Sequence, residues 1–115
     1  MHELSLAEAV VEQLEDVMRQ QDEPFTKIER IVLEIGAMSG VEKEPFAFAF
    51  PVVSQGTVAE EATLVFVEVP VAVYCRTCLQ TTEPEYPLIV CMSCNSTDVD
   101  VVAGRDFKIM SMEVS

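Results

Sequence analysis

Apolar residues recur at helical spacing near the start of the chain. Leu6, Val10, Leu14 and Val17 fall on one stripe, with Glu8, Glu12, Glu15, Arg19 and Gln20 mostly off it, the pattern of an amphipathic helix with one buried face. Ser5 and Glu8 form an S-x-x-E capping box. The spacing therefore predicts a helix that begins near Leu6 and fades by Asp22–Pro24, with the residues before the cap outside the helical ladder and the N-terminal amine exposed. The period then drops to two. Over Lys27–Ile35, Ile31, Leu33 and Ile35 share one face and Arg30 and Glu34 the other. This predicts a strand in a sheet that helices cover on one side.

Gly36 and Gly40 break that strand, and Ser39 with Glu42 offers a second capping box. The helix expected to follow runs to around Gln55, with Phe46, Phe50 and Val53 at i, i+4 and i+7. Pro45 suits its first turn, Pro51 removes a backbone donor and is expected to kink it, and Gly56 is its stop. Ala62–Val69 read as a β-branched strand ended by Pro70, and strand, helix and strand in this order predict a crossover between parallel strands. Phe107–Val114 read as a last strand that returns to the first sheet. The expected class is α+β, a small mixed three-stranded sheet with two helices on one face, built from residues 1–70 and 105–115. Residues 71–104 form an inserted zinc-ribbon-like four-cysteine module.

The 115 residues suit one ordinary domain or two very small ones, and half of them are apolar, enough for a real core. The charge narrows the partners. Seven Lys and Arg face twenty Asp and Glu, a formal net charge of −13, which disfavours nucleic acid and an anionic membrane surface. No basic leader precedes an apolar core at the N-terminus, and no apolar run reaches membrane-spanning length. The expected compartment is the cytoplasm, where C-x-x-C pairs bind metal or do redox work more often than they form structural disulfides.

The cysteines carry the strongest chemical signal. Cys75, Cys78, Cys91 and Cys94 are the only four in the chain, in the pattern C-x2-C-x12-C-x2-C. Two such knuckles bring four thiolates to the corners of a tetrahedron, the geometry of a closed, structural zinc site. A segment this short cannot build a stable apolar core alone, so a metal is useful to it. A rubredoxin-like iron site and a redox disulfide pair are the rivals. Knuckles of this kind favour glycine after the second cysteine, where the backbone turns left-handed. Leu79 and Asn95 stand there instead, and leucine predicts distortion of the first knuckle. Arg76 is a candidate to ease the charge of a metal held by four thiolates.

His2 is the sole histidine. Its Nδ1, its own backbone nitrogen and a free α-amine at Met1 can bind one ion through five- and six-membered chelate rings. Glu3 adds a carboxylate. Such nitrogen-rich, tetragonal sets suit Ni(II) or Cu(II). Glu42 is read as a helix cap or as a hydrogen-bond acceptor near this site. Apart from His2 no histidine is present for acid/base work, and the chain carries no Gly-rich phosphate loop and no nucleophile elbow, so it does not read as an enzyme.

The opening MHELSLAEAVVE resembles the start of the HypA/HybF family of hydrogenase nickel-incorporation proteins, whose signature begins Met-His-Glu. IVLEIGAMSGVEKEPFAFAF, GTVAEEATLVFVEVP, CRTC, CMSC and GRDFKIMSMEV are similar to successive parts of that family in the same order. The resemblance implies a nickel metallochaperone. Met1, His2 and Glu3 would hold a delivered Ni2+, and Cys75, Cys78, Cys91 and Cys94 a structural Zn2+. Its implied partners are a HypB-type GTPase and the large subunit of [NiFe]-hydrogenase, with urease maturation served by some members. A zinc-ribbon adaptor that transfers no metal is the alternative.

Overall fold

The computed structural model describes residues 2–21 and 27–115, with the backbone alone at His2. Met1 and the expected fading of the first helix at Asp22–Pro24 lie outside the described residues. Helix α1 spans His2–Arg19, so it starts before the Ser5–Glu8 box that was expected to cap it. The buried stripe explains the difference. Ala7, Val10, Val11 and Leu14 are buried and Leu4 is half-buried. Leu4, Ala7, Val11 and Leu14 sit at i, i+3, i+7 and i+10, and keeping Leu4 on that stripe requires helix ahead of Ser5. Ser5 is therefore an exposed residue inside the helix. Glu3, in the first turn, places negative charge at the positive end of the helix macrodipole.

Strand β1 covers Ile28–Gly36 and alternates as expected, with Ile31, Leu33 and Ile35 buried. Helix α2 covers Lys43–Val53. Its N-cap is Glu42, without a side-chain cap bond, so the expected Ser39–Glu42 box does not cap it. Gly40, at φ 76°, stands between Ser39 and the helix. A left-handed residue there ends the turn after β1, in which the Ser39 N–H donates to the Gly36 carbonyl at 2.9 Å. Pro51 falls in the last turn of α2, which ends at Val53, short of the expected Gln55. Strands β2 (Thr63–Val69) and β6 (Phe107–Val114) flank β1 in the order β2-β1-β6.

The chain divides into two compact units, the first made of Met1–Leu33, Val41–Phe66 and Ile109–Ser115 and the second of Glu34–Gly40 and Val67–Lys108. The Gly36 N–H donates to the Asp106 carbonyl at 2.7 Å and the Ser115 N–H to the Lys27 carbonyl at 2.9 Å, so β6 runs antiparallel to β1. The Ile28 N–H meets the Val58 carbonyl ahead of β2 and the Ala37 N–H the Val69 carbonyl at its end, so β2 runs parallel to β1 and the sheet is mixed, as the pattern predicts. In the first unit the α1 and α2 helices pack together. Phe46 is fully buried, with its ring centroid 5.9 Å from that of Phe50 and 6.2 Å, edge to face, from that of Phe66 on β2. The opposite sheet face is wetter: Arg30 and Glu113 pair there at 3.2 Å, both exposed.

In the second unit lies a separate three-stranded sheet, ordered β4-β3-β5, from β3 (Ala72–Cys75), β4 (Thr81–Thr82) and β5 (Val99–Ala103). Both pairings are antiparallel, with Tyr74 opposite Asp100 and Cys75 opposite Val99. Three backbones meet closely in this unit. A Cβ on Gly36 would lie 2.3 Å from the Gly104 carbonyl oxygen, and one on Gly104 (φ 92°) would lie 2.7 Å from the Pro70 carbonyl oxygen. Glycine at both positions is a requirement of the packing.

Candidate metal centre

Strand β3 delivers Cys75 at its last position, and the chain then turns through the first knuckle. The Leu79 N–H donates to the Cys75 carbonyl at 3.0 Å and the Cys75 N–H to the Gln80 carbonyl at 2.9 Å. Sixteen residues on, the second knuckle repeats both bonds: Asn95 N–H to the Cys91 carbonyl at 2.8 Å and Cys91 N–H to the Ser96 carbonyl at 2.9 Å. Leu79 and Asn95 both have φ 64°. The first knuckle is therefore not distorted by its leucine, contrary to expectation. Its hydrogen bonds impose the left-handed turn, and Leu79 bears the strain with its side chain exposed.

Among the described residues the sulfurs of Cys75, Cys78, Cys91 and Cys94 form one potential metal-holding group, all within 4.8 Å of one another. Cys75 Sγ lies 3.6 Å from Cys94 Sγ, and Cys78 Sγ lies 3.5 Å from Cys91 Sγ. A tetrahedron with metal–sulfur arms of about 2.3 Å has sulfur–sulfur edges of about 3.8 Å, so these two sulfur pairs lie within a few tenths of an ångström of the edge of a four-thiolate site. These cross-knuckle contacts are too long for disulfide bonds. All four cysteines are free.

The backbone prepares the sulfurs unequally. The Cys78 N–H donates to Cys75 Sγ at 3.4 Å and the Ser93 N–H to Cys91 Sγ at 3.4 Å. The Cys78 amide is the main reason that the Cys75 thiol is brought down to about 6, helped by the Thr77 amide and opposed by desolvation. Cys91 is lowered in the same way by the amides of Cys94 and Ser93. At Cys94 the Ser96 amide pulls down, but desolvation and the three neighbouring thiols outweigh it and push the group up to about 12. Cys78 is likewise raised, the Gln80 amide being outweighed by desolvation and by Cys91 and Cys75. Each knuckle thus holds one thiol made more acidic and one made less acidic than an ordinary cysteine.

Arg76, a candidate to ease the charge of a bound metal, also has partners that the sequence does not announce. Its guanidinium is committed to carboxylates: Nε donates to Asp98 Oδ1 at 2.8 Å, a terminal nitrogen meets the same oxygen at 2.6 Å, and the other terminal nitrogen pairs with Asp100. These two carboxylates hold the guanidinium charge more firmly than usual, with Asp100 the stronger influence. The sequence reading missed Asp98 and Asp100. Their signal was the strand register, invisible until β3 and β5 are paired.

The N-terminal set is placed differently. His2 opens α1, Glu3 is half-buried in its first turn, and Met1 lies outside the described residues. Glu42 is the exposed N-cap of α2.

A family profile described as "Hydrogenase/urease nickel incorporation, metallochaperone, hypA" matches residues 1–114. The chain belongs to the HypA family. Relatives named hydrogenase maturation factor HypA include that of Acidithiobacillus ferrooxidans, 40% identical over 99% of each chain, and that of Rhodobacter capsulatus, 36% identical over 99% of each. Solved HypA structures share the fold. The solution structure of the nickel metallochaperone HypA from Helicobacter pylori is 27% identical over 97% of this chain and 96% of its own, with a TM-score of 0.70. A second HypA solution structure is 28% identical over 100% and 97%, with a TM-score of 0.74. HypA proteins are nickel-incorporation metallochaperones of hydrogenase and urease maturation, not enzymes. Among the described residues, no helix is long and apolar enough to cross a membrane.

Proposed function

We propose that this HypA-family chain carries nickel at its N-terminus and zinc at its four cysteines, and that only the nickel is handed on. The observation that carries the reading is the sulfur tetrahedron. Its edges of 3.5 and 3.6 Å suit zinc, and four thiolates leave no open position for exchange chemistry, so the zinc is structural. The thiolates are supplied by the segment 71–104, acting as an inserted domain within 1–70 and 105–115. Nickel then needs ligands elsewhere, and His2 is the only imidazole available.

The Met1 amine, the His2 amide nitrogen and His2 Nδ1 supply the nickel ligands, and Glu3 assists. The start of α1 at His2 supports this set. N–H groups of a first helical turn have no acceptor within the helix, so coordination by the His2 nitrogen breaks no helical hydrogen bond. Glu3 in that turn offsets the positive end of the helix, which would otherwise repel a cation. A chelate at a chain terminus releases its ligands one at a time, which suits transfer.

The recipient is the large subunit of [NiFe]-hydrogenase, loaded with a HypB-type GTPase, and urease maturation is a second client. The setting is the cytoplasm. An N-terminal extension that turns the Met1 amine into an amide tests this reading: nickel binding in calorimetric titration is lost and the zinc content stays. Unchanged nickel binding by the extended chain refutes it.

A further inference from the structure

The two knuckles are tied to each other by bonds that involve no sulfur. Arg76 stands between the ligands Cys75 and Cys78, one step beyond β3. Its N–H donates to the Asp98 carbonyl at 3.1 Å, which extends the register of Tyr74 opposite Asp100. Residues directly opposite on an antiparallel ladder share a face, and the diagonal neighbour is within reach of a long side chain. Asp98 is the opposite residue and Asp100 the diagonal one. The planar guanidinium spans both, bonding Asp98 Oδ1 at 2.8 and 2.6 Å and pairing with Asp100 through its other nitrogen. Next to it, Thr77 Oγ1 and Ser96 Oγ lie 3.2 Å apart. Beyond the second knuckle's first ligand, the Met92 N–H donates to Thr82 Oγ1 on β4 at 3.0 Å.

We infer that Arg76, held by Asp98 and Asp100, is a positioning residue for the metal: it clamps the first knuckle to the chain leaving the second, so that the four sulfurs stay in register whether or not an ion is bound. The inference rests on the resident-zinc reading above. Without the guanidinium, the cysteine pairs are held by the β3–β5 ladder, the Thr77–Ser96 and Met92–Thr82 bonds and the twelve-residue spacer. Each release of metal would then leave the turn from Cys75 to Cys78 looser against the chain after Cys94, and rebinding would again cost the entropy of ordering it. With it, an ion leaves or returns by breaking metal–sulfur bonds alone. Arginine is the residue the task requires, because lysine presents a point charge and cannot fork to two carboxylates. The side chains involved are exposed, between 46% and 62%, so the clamp is a network of individually weak links that salt screens.

Zinc transfer from the full-length protein to a colorimetric chelator, at low and high salt, tests the clamp. Arg76→Met is expected to release zinc roughly threefold to tenfold faster than wild type at low salt, converging on it at high salt. The Co2+-substituted variant keeps the absorption spectrum of a tetrahedral four-thiolate site, because the ligands themselves are untouched. Arg76→Lys releases at an intermediate rate. The deciding variant is Asp98→Asn with Asp100→Asn, which leaves the Arg76 charge free beside the thiolates. The clamp predicts faster release there, and no further acceleration when Arg76→Met is added. Slower release would mean that Arg76 acts by its charge on the metal, and unchanged release that the pairs are idle; either overturns the clamp alone. Wild-type protein without bound zinc would overturn the zinc reading as well, and elemental analysis distinguishes that case.

Discussion

Leu79→Gly is expected to stabilise the zinc-loaded protein, although it removes a side chain. Leu79 has φ 64°, a conformation that costs an L-residue with a Cβ about 1–2 kcal/mol. The leucine regains little by packing, since its side chain is 64% exposed. Glycine removes the strain but brings a more flexible unfolded chain, a loss of about 0.5–1 kcal/mol. The net gain falls between about 0 and 1.5 kcal/mol, centred on about 0.75 kcal/mol, or a rise of about 3–6 °C in the midpoint of a domain this small. Asn95→Gly is the control. Asn95 has the same φ of 64° in the second knuckle, but asparagine tolerates that region, so its replacement is expected to change the midpoint by less. Thermal unfolding followed by circular dichroism, with one equivalent of zinc, measures both. A Leu79→Gly midpoint at or below wild type, or no higher than that of Asn95→Gly, would show that the knuckle stores no strain.

Two further outcomes follow from the same geometry. Gly36→Ala places a Cβ 2.3 Å from the Gly104 carbonyl oxygen, a backbone-to-backbone clash that no rotamer relieves; a loss of about 3 kcal/mol is expected in urea unfolding, and a wild-type midpoint would contradict the close approach. Zinc affinity depends on pH through two kinds of sulfur. Cys75, lowered to about 6, gives a contribution that is present above the ordinary thiol range and lost as pH falls through about 6. Cys94, raised to about 12, favours its neutral form in the metal-free fold, a contribution present below the ordinary range and lost as pH rises towards 12, so zinc must displace its proton at neutral pH. Competition titrations at pH 5.5, 7 and 8.5 are therefore expected to show affinity that keeps rising with pH and falls most steeply below about 6; a flat profile would refute this.

The strands of the main sheet were legible because alternation of Ile31, Leu33 and Ile35 leaves little choice of face, and the last strand falls at Phe107–Val114 as read. The helix starts were less so. A capping box is a local signal, and at Ser5 it is overridden by burial of a stripe that reaches back to Leu4. At Ser39 it is overridden by the left-handed Gly40. The second sheet went unread because β3 has four residues and β4 two, too few for a period to show. The cysteine spacing revealed the sulfur cluster, since two C-x-x-C turns leave few other arrangements. The fate of Arg76 was hidden, because its partners are set by pairing between strands far apart in sequence.

On the function proposed above, two metals occupy two different places. Untagged protein and His2→Ala, each loaded with zinc and nickel and weighed intact by native mass spectrometry, test it most directly. The expected result is zinc retained in both and nickel present only in the wild type. Nickel held equally by His2→Ala, or zinc lost along with the imidazole, would contradict the account.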